Sequence, residues 1–281
     1  MSKVGLAKVS ESSNELENFY DQFSRKWLED LVQGNERIAQ QLAFFLRAIP
    51  AETGSLLLVG SGSGQSAYFI ASEVAPNAKI KALDISSEGL RLAETLFSDG
   101  RIEYQRLDIL TEPVDGQWDG IVLPDIYEHI PVAARSKLHA KFNALLSPNG
   151  KIFMTLPSPG KQASLYASGK GLQIVDETVT LEDLVRMASE TGGVLTYFNM
   201  VSVWENNDYI HAVIERGANT VGPIENINQT PLKGWPRRGL WVRGRDFLGN
   251  RFHIFKILQT LKRRRLQARL LRAQGDREMA S

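Results

Sequence analysis

The 281-residue sequence contains no cysteine, which excludes disulfide bonds, zinc–thiolate sites and a cysteine nucleophile. It also lacks long hydrophobic runs, because stretches such as residues 56–59 have the length of a strand and fall far short of a membrane span. The first 17 residues are polar and acidic and have no apolar core of a signal peptide. Together these absences predict a cytoplasmic protein.

Charge is distributed unevenly along the chain, although the net charge is only +1. Residues 233–281 contain fourteen Lys and Arg and have a balance of +11, whereas the preceding 232 residues have a balance of −10. Apolar residues at helical spacing flank the basic run 262–265, which predicts a basic amphipathic C-terminal helix. It could mediate self-association by docking on the acidic body or a second subunit, or bind an anionic membrane surface at the inner face of the membrane. Nucleic acid has less support, because no recognisable nucleic-acid module accompanies the helix.

Apolar periodicity predicts a strand–helix alternation after an N-terminal helical segment, 15–50, that Gly34 breaks into two helices. The predicted strands are 55–59, 80–84, 102–106, 120–123, 151–156, 194–203 and 209–215, and the predicted helices between them are 66–75, 88–96, 133–146 and 181–191. This order predicts an α/β fold with a doubly wound, mostly parallel seven-stranded sheet of Rossmann-like type. Since no helix separates the last two strands, they should form an antiparallel hairpin at one edge.

A nucleoside site is predicted where the first strand ends. Gly60, Gly62 and Gly64 alternate in the turn that follows the strand, and glycine permits positive φ and a close approach of a ligand to the backbone. Asp84 ends the second predicted strand, where a carboxylate can accept hydrogen bonds from both ribose hydroxyls or, alternatively, cap a helix. Asp108 ends the third strand and should lie beside the same crevice.

The order and spacing of these motifs over residues 54–216 resemble the class I S-adenosylmethionine (SAM)-dependent methyltransferases. The glycine spacing resembles the first motif of that family, Asp84 matches its ribose-binding acid, and Asp108 matches the acid that usually contacts the adenine amino group. Residues 146–150 are similar to its turn after the fourth helix. The resemblance implies SAM as cofactor, bound by Gly60, Ser61, Gly62, Gly64, Asp84, Ile85, Asp108, Ile109 and Asp125. It also implies three regions: an N-terminal helical lid (1–53), a SAM-binding domain (54–216), and a linker with the basic extension (217–281).

The sequence departs from the family at Leu58, where an acidic residue usually helps to place the methionine end of the cofactor. Either SAM binding is weaker, or Asp125 or the backbone of Gly60 takes over that task. A non-catalytic SAM-binding scaffold is therefore an alternative from another functional class. NAD is disfavoured, because dinucleotide-binding enzymes space the glycines as G-x-G-x-x-G, and here they are spaced as G-x-G-x-G.

A Glu–His pair follows the fourth predicted strand. Glu128 and His129 resemble the pair found at this place in a subset of the family, which includes sugar, polysaccharide and quinone-ring O-methyltransferases. Methylation of a hydroxyl requires orientation and a base, and the pKa of His129 should lie near neutrality, with Glu128 orienting its imidazole. The alternative is that His129 braces the loop. The sequence brings too few ligands together to predict a metal site.

The predicted substrate contacts are Tyr20, Tyr127, Tyr166 and Gln173. Tyr20 lies in an aromatic stretch, 19–23, that resembles the lid of relatives, and Tyr166 and Gln173 lie in a predicted loop, 161–179, that could equally be a surface loop. His139 is predicted to be solvated and His211 to be structural. The predicted reaction is O-methylation of a hydroxyl on a sugar or glycan precursor, with a quinone or another small molecule as the alternative acceptor.

Overall fold

A computed structural model describes residues 13–22 and 24–217 of the chain. Its centre is a seven-stranded sheet with the order β3-β2-β1-β4-β5-β7-β6. The strands are β1 (Ser55–Val59), β2 (Lys79–Asp84), β3 (Ile102–Arg106), β4 (Trp118–Pro124), β5 (Leu146–Pro157), β6 (Gly193–Val201) and β7 (Tyr209–Arg216). β1 to β5 are mutually parallel, and β7 pairs antiparallel with both β5 and β6. The predicted α/β fold with an antiparallel hairpin at one edge is confirmed.

Helices cover both faces of this sheet. They are α1 (Ser13–Asp21), α2 (Ser24–Gln33), α3 (Glu36–Ala48), α4 (Gln65–Phe69), α5 (Ser87–Leu96), α6 (Val132–Leu145), α7 (Pro159–Ser168) and α8 (Leu181–Glu190). α4 continues into a π-helical turn, Ile70–Val74, and Tyr127–His129 form a short 3₁₀ turn. Residues 218–281, which include the predicted basic helix, lie outside the described residues. In the described part, no helix has the length and apolarity that crossing a membrane requires.

The centre of the sheet is buried on both faces, and β1 shows how the sequence produces this. Leu56 and Leu58 pack in the layer that contains Phe44 and Phe45 of α3, whereas Leu57 and Val59 pack in the layer under α6 and α8. A parallel strand covered by helices on both sides needs a continuous apolar run rather than alternation. The apolar run that ends in the glycine turn is therefore the expected signature of a central strand.

Two local predictions are wrong. The predicted loop 161–179 begins inside α7, which Ser158 caps and which ends at Gly169 in the left-handed conformation. The N-terminal segment forms three helices, because a second break follows Asp21 in addition to the predicted one at Gly34. Residues 147–150, where a turn was predicted, interrupt the pairing of β5 with β4, which jumps from Leu146 to Lys151.

His139 of α6 was predicted to be solvated, and this is also wrong, because its side chain is fully buried. Its Nε2 lies 2.9 Å from the Tyr127 hydroxyl and its Nδ1 lies 2.6 Å from Glu190 Oε2. Helical periodicity could not reveal this burial, because the ring faces α8, which lies some fifty residues further along the chain. The hydrogen bonds from Tyr127 through His139 to Glu190 therefore connect the segment after β4 with α6 and α8.

The topology places several chain segments at one edge of the sheet. The carboxyl ends of β1, β2, β4 and β5 lie there because these strands are parallel. The β6–β7 connection lies at the same edge, since Pro157 at the end of β5 pairs with Tyr209 at the start of β7. Open α/β sheets bind ligands at this edge, beside the point where the strand order reverses.

Gly64 is required by packing within the glycine turn. It has a φ of +82°, and a Cβ there would lie 2.6 Å from Ala93 Cβ and 2.7 Å from the Tyr104 hydroxyl oxygen. We expect Gly64→Ala to lower the free energy of unfolding by about 1–3 kcal/mol in urea denaturation, because backbone strain alone costs that much. Gly160→Ala is the matched control: its Cβ meets nothing closer than 3.8 Å, so stability should stay equal or rise slightly. Equal stabilities of the two variants would contradict the packing role.

Candidate functional site

The glycine turn after β1 is bound to the end of β2. Gly60, Gly62 and Gly64 have φ values of +79°, +50° and +82°. The amides of Gly60 and Ser61 both donate to the Leu83 carbonyl, at 2.8 and 2.9 Å. The turn is therefore held in a conformation that only glycine adopts readily, directly over the neighbouring strand.

Asp84 completes this connection. Its Oδ2 accepts a hydrogen bond from the Gly62 amide at 2.7 Å, and its Oδ1 accepts one from the Ser86 amide at 2.8 Å. Burial raises the pKa of Asp84, and the backbone donors oppose this shift. The Ile85 amide also interacts with this carboxylate, which has about four acceptor sites, so acceptor capacity remains for a ribose hydroxyl. The helix-cap alternative is wrong, because Ser86 caps α5, and the ribose contact of Asp84 stays a prediction.

Acidic residues of α1 hold the N-terminal helices against this crevice. Asp21 Oδ1 accepts hydrogen bonds from Ser86 Oγ at 2.6 Å and from the Glu88 amide at 3.1 Å. Glu17 forms an ion pair with Arg106 at 2.6 Å, and the guanidinium lowers the pKa of that carboxyl. A carboxylate at the first turn of α5 also interacts favourably with the helix dipole.

Two aromatic side chains from the same helices reach the site. The indole of Trp27 in α2 lies against Gly62 and Gly89, so that it covers the glycine turn. Tyr20 of α1 is mostly buried, and burial together with the charges of Glu128 and Asp84 raises the pKa of its phenol. Tyr20 therefore lies near both Asp84 and the Glu–His pair, and its roles in a lid and in substrate contact stay predictions.

Asp108 caps the turn after β3. Its Oδ1 accepts from the Leu110 amide and its Oδ2 accepts from the Thr111 hydroxyl, both at 2.8 Å. Ile85 is partly exposed beside Asp84, whereas Ile109 is buried and its carbonyl accepts from Lys141 Nζ at 2.6 Å. The contact of Asp108 with an adenine amino group stays a prediction, because local hydrogen bonds account for the geometry of this carboxylate.

A polar network occupies the region where the family acid would act. Leu58 is fully buried in the core and presents no polar group. Asp125, which has a φ of +55°, forms an ion pair with Arg37 of α3. Thr155 Oγ1 lies 3.2 Å from Asp125 Oδ1 and 3.1 Å from Gln41 Oε1, and it donates its single proton to one of them. The methionine moiety of SAM carries an ammonium and a carboxylate, and Asp125 and Arg37 have the complementary charges.

His129 lies between two carboxylates. Its Nδ1 is 2.7 Å from the Val175 carbonyl oxygen and 3.3 Å from Asp176 Oδ1, and its Nε2 is 3.7 Å from Glu128 Oε1. Burial alone would lower the pKa of His129, but Glu128, Asp176 and the Val175 carbonyl outweigh it and raise that pKa. Burial raises the pKa of Glu128 itself. The sequence did not indicate Asp176, which lies 47 residues beyond His129 in a segment without a motif.

The predicted substrate contacts have different surroundings. Tyr166 is 47% exposed, and its hydroxyl donates to the backbone carbonyl of Asp176. The backbone amide of Gln173 donates to Asp176 Oδ2 at 2.5 Å. Both residues thus shape the segment beside His129. The prediction that Tyr127 contacts the substrate is wrong. Its fully buried ring packs under the Arg135 guanidinium and its hydroxyl contacts His139, so it presents no surface to a substrate.

Gln162 of α7 is a further polar residue of the site that sequence reasoning missed. Its side chain is 1% exposed, and it approaches the Asp176 carboxylate closely enough to lower the pKa of that group. The geometry nevertheless leaves both polar atoms of its amide without a hydrogen bond among the described residues. Within residues 13–22 and 24–217, no group of three or more His, Asp or Glu side chains has the arrangement of a metal site.

The comparisons with known proteins agree with this geometry. Residues 56–150 match a family model described as a methyltransferase domain. The structure of DhpI in complex with S-adenosylhomocysteine (SAH) aligns with a TM-score of 0.58 at 17% identity, over 73% of this chain and 97% of that one. A SAM-dependent methyltransferase from Mesorhizobium loti aligns with a TM-score of 0.54 at 14% identity, over 66% and 100% of the two chains. A Haloferax volcanii methyltransferase solved with the Trm112 activator aligns with a TM-score of 0.56 at 13% identity, over 70% and 96%. No match was found among curated protein sequences.

Residues 56–150, which contain the glycine turn and its carboxylate, match a methyltransferase domain, and the seven-stranded sheet has the fold of the SAM-dependent methyltransferases with which it aligns. S-adenosylmethionine is the cofactor of proteins of that class.

Asp84→Asn tests the nucleoside end of the site. We expect the variant to bind SAH about 10- to 100-fold more weakly in calorimetry, because hydrogen bonds to a charged acceptor contribute about 1.5–3 kcal/mol each. 5′-Methylthioadenosine, which keeps the ribose and lacks the amino-acid moiety, should lose affinity by the same factor. Asp115→Asn is the control, since that side chain is exposed. Unchanged affinity in a folded Asp84→Asn variant would exclude the ribose role.

Asp125→Asn tests the methionine end with the same two ligands. We expect it to weaken SAH by about 10-fold, since it removes the negative charge opposite the ammonium, and to leave 5′-methylthioadenosine unaffected. Calorimetry on both ligands separates this result from a general loss of the fold. A parallel loss for both ligands, or no loss for either, would contradict the assignment of Asp125.

Proposed function

We propose that this chain is a SAM-dependent O-methyltransferase that acts on a hydroxyl of a sugar or glycan precursor. The supporting observation is a set of buried polar atoms around His129 that have no hydrogen-bond partner among the described residues: Glu128 Oε2, Gln162 Nε2, Gln162 Oε1 and Gln173 Oε1. Leaving a buried polar atom unsatisfied costs about 1–3 kcal/mol. An acceptor with several hydroxyls, each both donor and acceptor, can satisfy this set.

The same atoms argue against a quinone ring as the acceptor. Such a ring offers few donors and a broad apolar face, so most of the amide and carboxylate atoms would stay unpaired beneath it. The Glu128–His129 pair resembles that of both the sugar and the quinone methyltransferases, so it supports either acceptor. The side-chain amides of Gln162 and Gln173 favour the sugar. We therefore keep the quinone only as the alternative that the assay below tests.

His129 is the proposed base. Bound S-adenosylmethionine supplies a methyl group on a sulfonium, which is an excellent leaving group, so the protein must orient the hydroxyl and remove its proton. Nδ1 of His129 faces the Val175 carbonyl, which can only accept, and Nε2 is therefore the nitrogen that takes the proton. Glu128 and Asp176 then stabilise the imidazolium that forms.

The second candidate is a non-catalytic SAM-binding scaffold, which the replacement of the family acid by Leu58 and the basic C-terminal segment suggest. The Arg37–Asp125 pair offers an alternative to the missing acid and so supports cofactor binding in both candidates, whereas the buried His129 between two carboxylates favours the enzyme. Cytoplasmic localisation stays a proposal. A role for residues 233–281 in self-association or at an anionic membrane surface also stays a proposal, since that segment lies outside the described residues.

A labelled-methyl transfer assay on the full chain tests this function. We expect transfer from SAM to methyl glycosides or nucleotide sugars and none to a soluble ubiquinol analogue. His129→Gln should lower kcat by about 10²- to 10⁴-fold, which is the contribution of a general base. Gln162→Leu should raise KM for the sugar and leave SAH affinity unchanged, and Glu205→Gln, an exposed partner of Lys161, should change neither.

The outcomes separate the candidates. Transfer only to the ubiquinol analogue would replace the sugar by the quinone. Tight SAH binding without transfer to either class of probe would support the scaffold, and loss of SAH binding in the Gln162→Leu variant would move that residue from the acceptor to the cofactor.

A further inference from the structure

The segment after α7 approaches the reaction centre through a single carboxylate. Asp176 Oδ1 lies 3.3 Å from His129 Nδ1, and the neighbouring Val175 carbonyl oxygen lies 2.7 Å from the same nitrogen. Both oxygens belong to groups that accept hydrogen bonds, so the proton of a neutral imidazole must be on Nδ1. The lone pair is then on Nε2, at the other side of the ring.

We propose that Asp176 is a positioning residue that holds the imidazole of His129 with its proton on Nδ1, so that Nε2 accepts the proton of the acceptor hydroxyl. This inference deepens the proposed function and rests on His129 being its base. Nε2 is 3.7 Å from Glu128 Oε1, which is too long for a hydrogen bond, so the nitrogen is not engaged by that carboxylate. Asp176 does not touch the acceptor in this arrangement and acts through the imidazole.

The structure holds Asp176 in place independently of His129. The Gln173 amide donates to its Oδ2 at 2.5 Å, and the Tyr166 hydroxyl donates to its backbone carbonyl. The Glu177 amide donates to the Glu128 carbonyl at 2.8 Å, which joins this segment to the 3₁₀ turn that carries the Glu–His pair. Because these contacts fix the position of the Asp176 carboxylate, it can orient the imidazole ring of His129. A carboxylate on an unanchored loop would instead move with the ring.

The charges around His129 come from several elements. Asp176 faces Nδ1 and Glu128 faces Nε2, and both favour the imidazolium. The remaining charged and titratable groups are Arg37 of α3, which opposes Glu128, and the phenols of Tyr20 and Tyr209, which both interact with Glu128 and Asp176.

Since the neutral ring is the base, the rate should rise with pH and reach half its maximum above the usual pKa of His, which is about 6.5. Loss of Asp176 should move this midpoint to lower pH.

Nitrogen-15 and proton NMR of the His side chains in the full chain tests the proposal without an acceptor. The signals of His129 are assigned with His129→Gln. We expect the neutral ring to carry its proton on Nδ1, and Asp176→Asn to weaken proton binding by His129 about 10-fold, because an adjacent opposite charge shifts a pKa by about one unit or more. Glu205→Gln, which removes an exposed carboxylate that pairs with Lys161, should leave the titration unchanged.

Two results overturn the proposal. A proton on Nε2 of the neutral His129 ring in the unmodified protein excludes the orientation, and this measurement needs no variant that could misfold. An unchanged His129 titration in folded Asp176→Asn, checked by circular dichroism, excludes the electrostatic contribution.

Kinetics on a sugar found in the transfer assay separates this proposal from the proposed function. Asp176→Asn should lower kcat and shift the acid limb to lower pH with little change in KM, whereas an unshifted acid limb overturns the positioning role. If the NMR results are as expected and no sugar is methylated, the acceptor class is wrong and the role of Asp176 in orienting His129 stands.

Discussion

The hydrogen bond from the Gly62 amide to Asp84 Oδ2 joins the ends of two adjacent parallel strands, and the cofactor end of the site depends on it. A glycine turn alone is a common feature, and a carboxylate at a strand end often only caps a helix. Joined across the sheet, they bring a backbone turn and a carboxylate with spare lone pairs to the edge where open α/β sheets bind ligands. The N-terminal helices are anchored to the same place, because Asp21 reaches the first turn of the helix that follows Asp84.

The usual acid of the family is replaced by Leu58, and its task on the methionine end of the cofactor is proposed for Asp125. Leu58 contributes to a core layer in which an unpaired carboxylate would be costly. A negative charge lies instead on Asp125 after β4, which pairs with Arg37 and contacts Thr155, and Thr155 in turn contacts Gln41. Asp125 also has a positive φ, a conformation that is uncommon for residues other than glycine and that accumulates at functional sites.

The proposed acceptor end of the site is organised differently from the cofactor end. It assembles from the turn after β4, from α7 and from the segment around Asp176, and none of these carries a motif as specific as the glycine turn. Its distinguishing feature is a group of buried polar side chains: His129 lies between two carboxylates, and the side-chain amide of Gln162 has polar atoms without a partner among the described residues. Buried polar groups of this kind tend to be retained where they serve recognition or catalysis.

The sequence by itself determined the sheet, its antiparallel edge and the residues of the glycine turn. Each of these is a local pattern, an apolar run with its period or a turn with its glycines, so the information lies within a few neighbouring residues. It also identified Glu128 and His129, since they directly follow a recognisable strand. Even α7 had a readable signal, because Ser158 and Pro159 at its start and Gly169 at its end are usual helix boundaries.

Only the tertiary structure decided which side chains meet at the proposed acceptor end. The path of the chain after β5 brings Asp176 to His129 and Gln162 to Asp176. Burial would raise the pKa of Asp176, but its hydrogen bonds with His129 and Gln173 lower it, and the buried side-chain amide of Gln162 has no hydrogen-bond partner among the described residues. Tyr127 and His139 became core residues for the same reason, because contacts between distant segments determine burial. Such contacts join residues far apart in the sequence, and no short-range pattern encodes them.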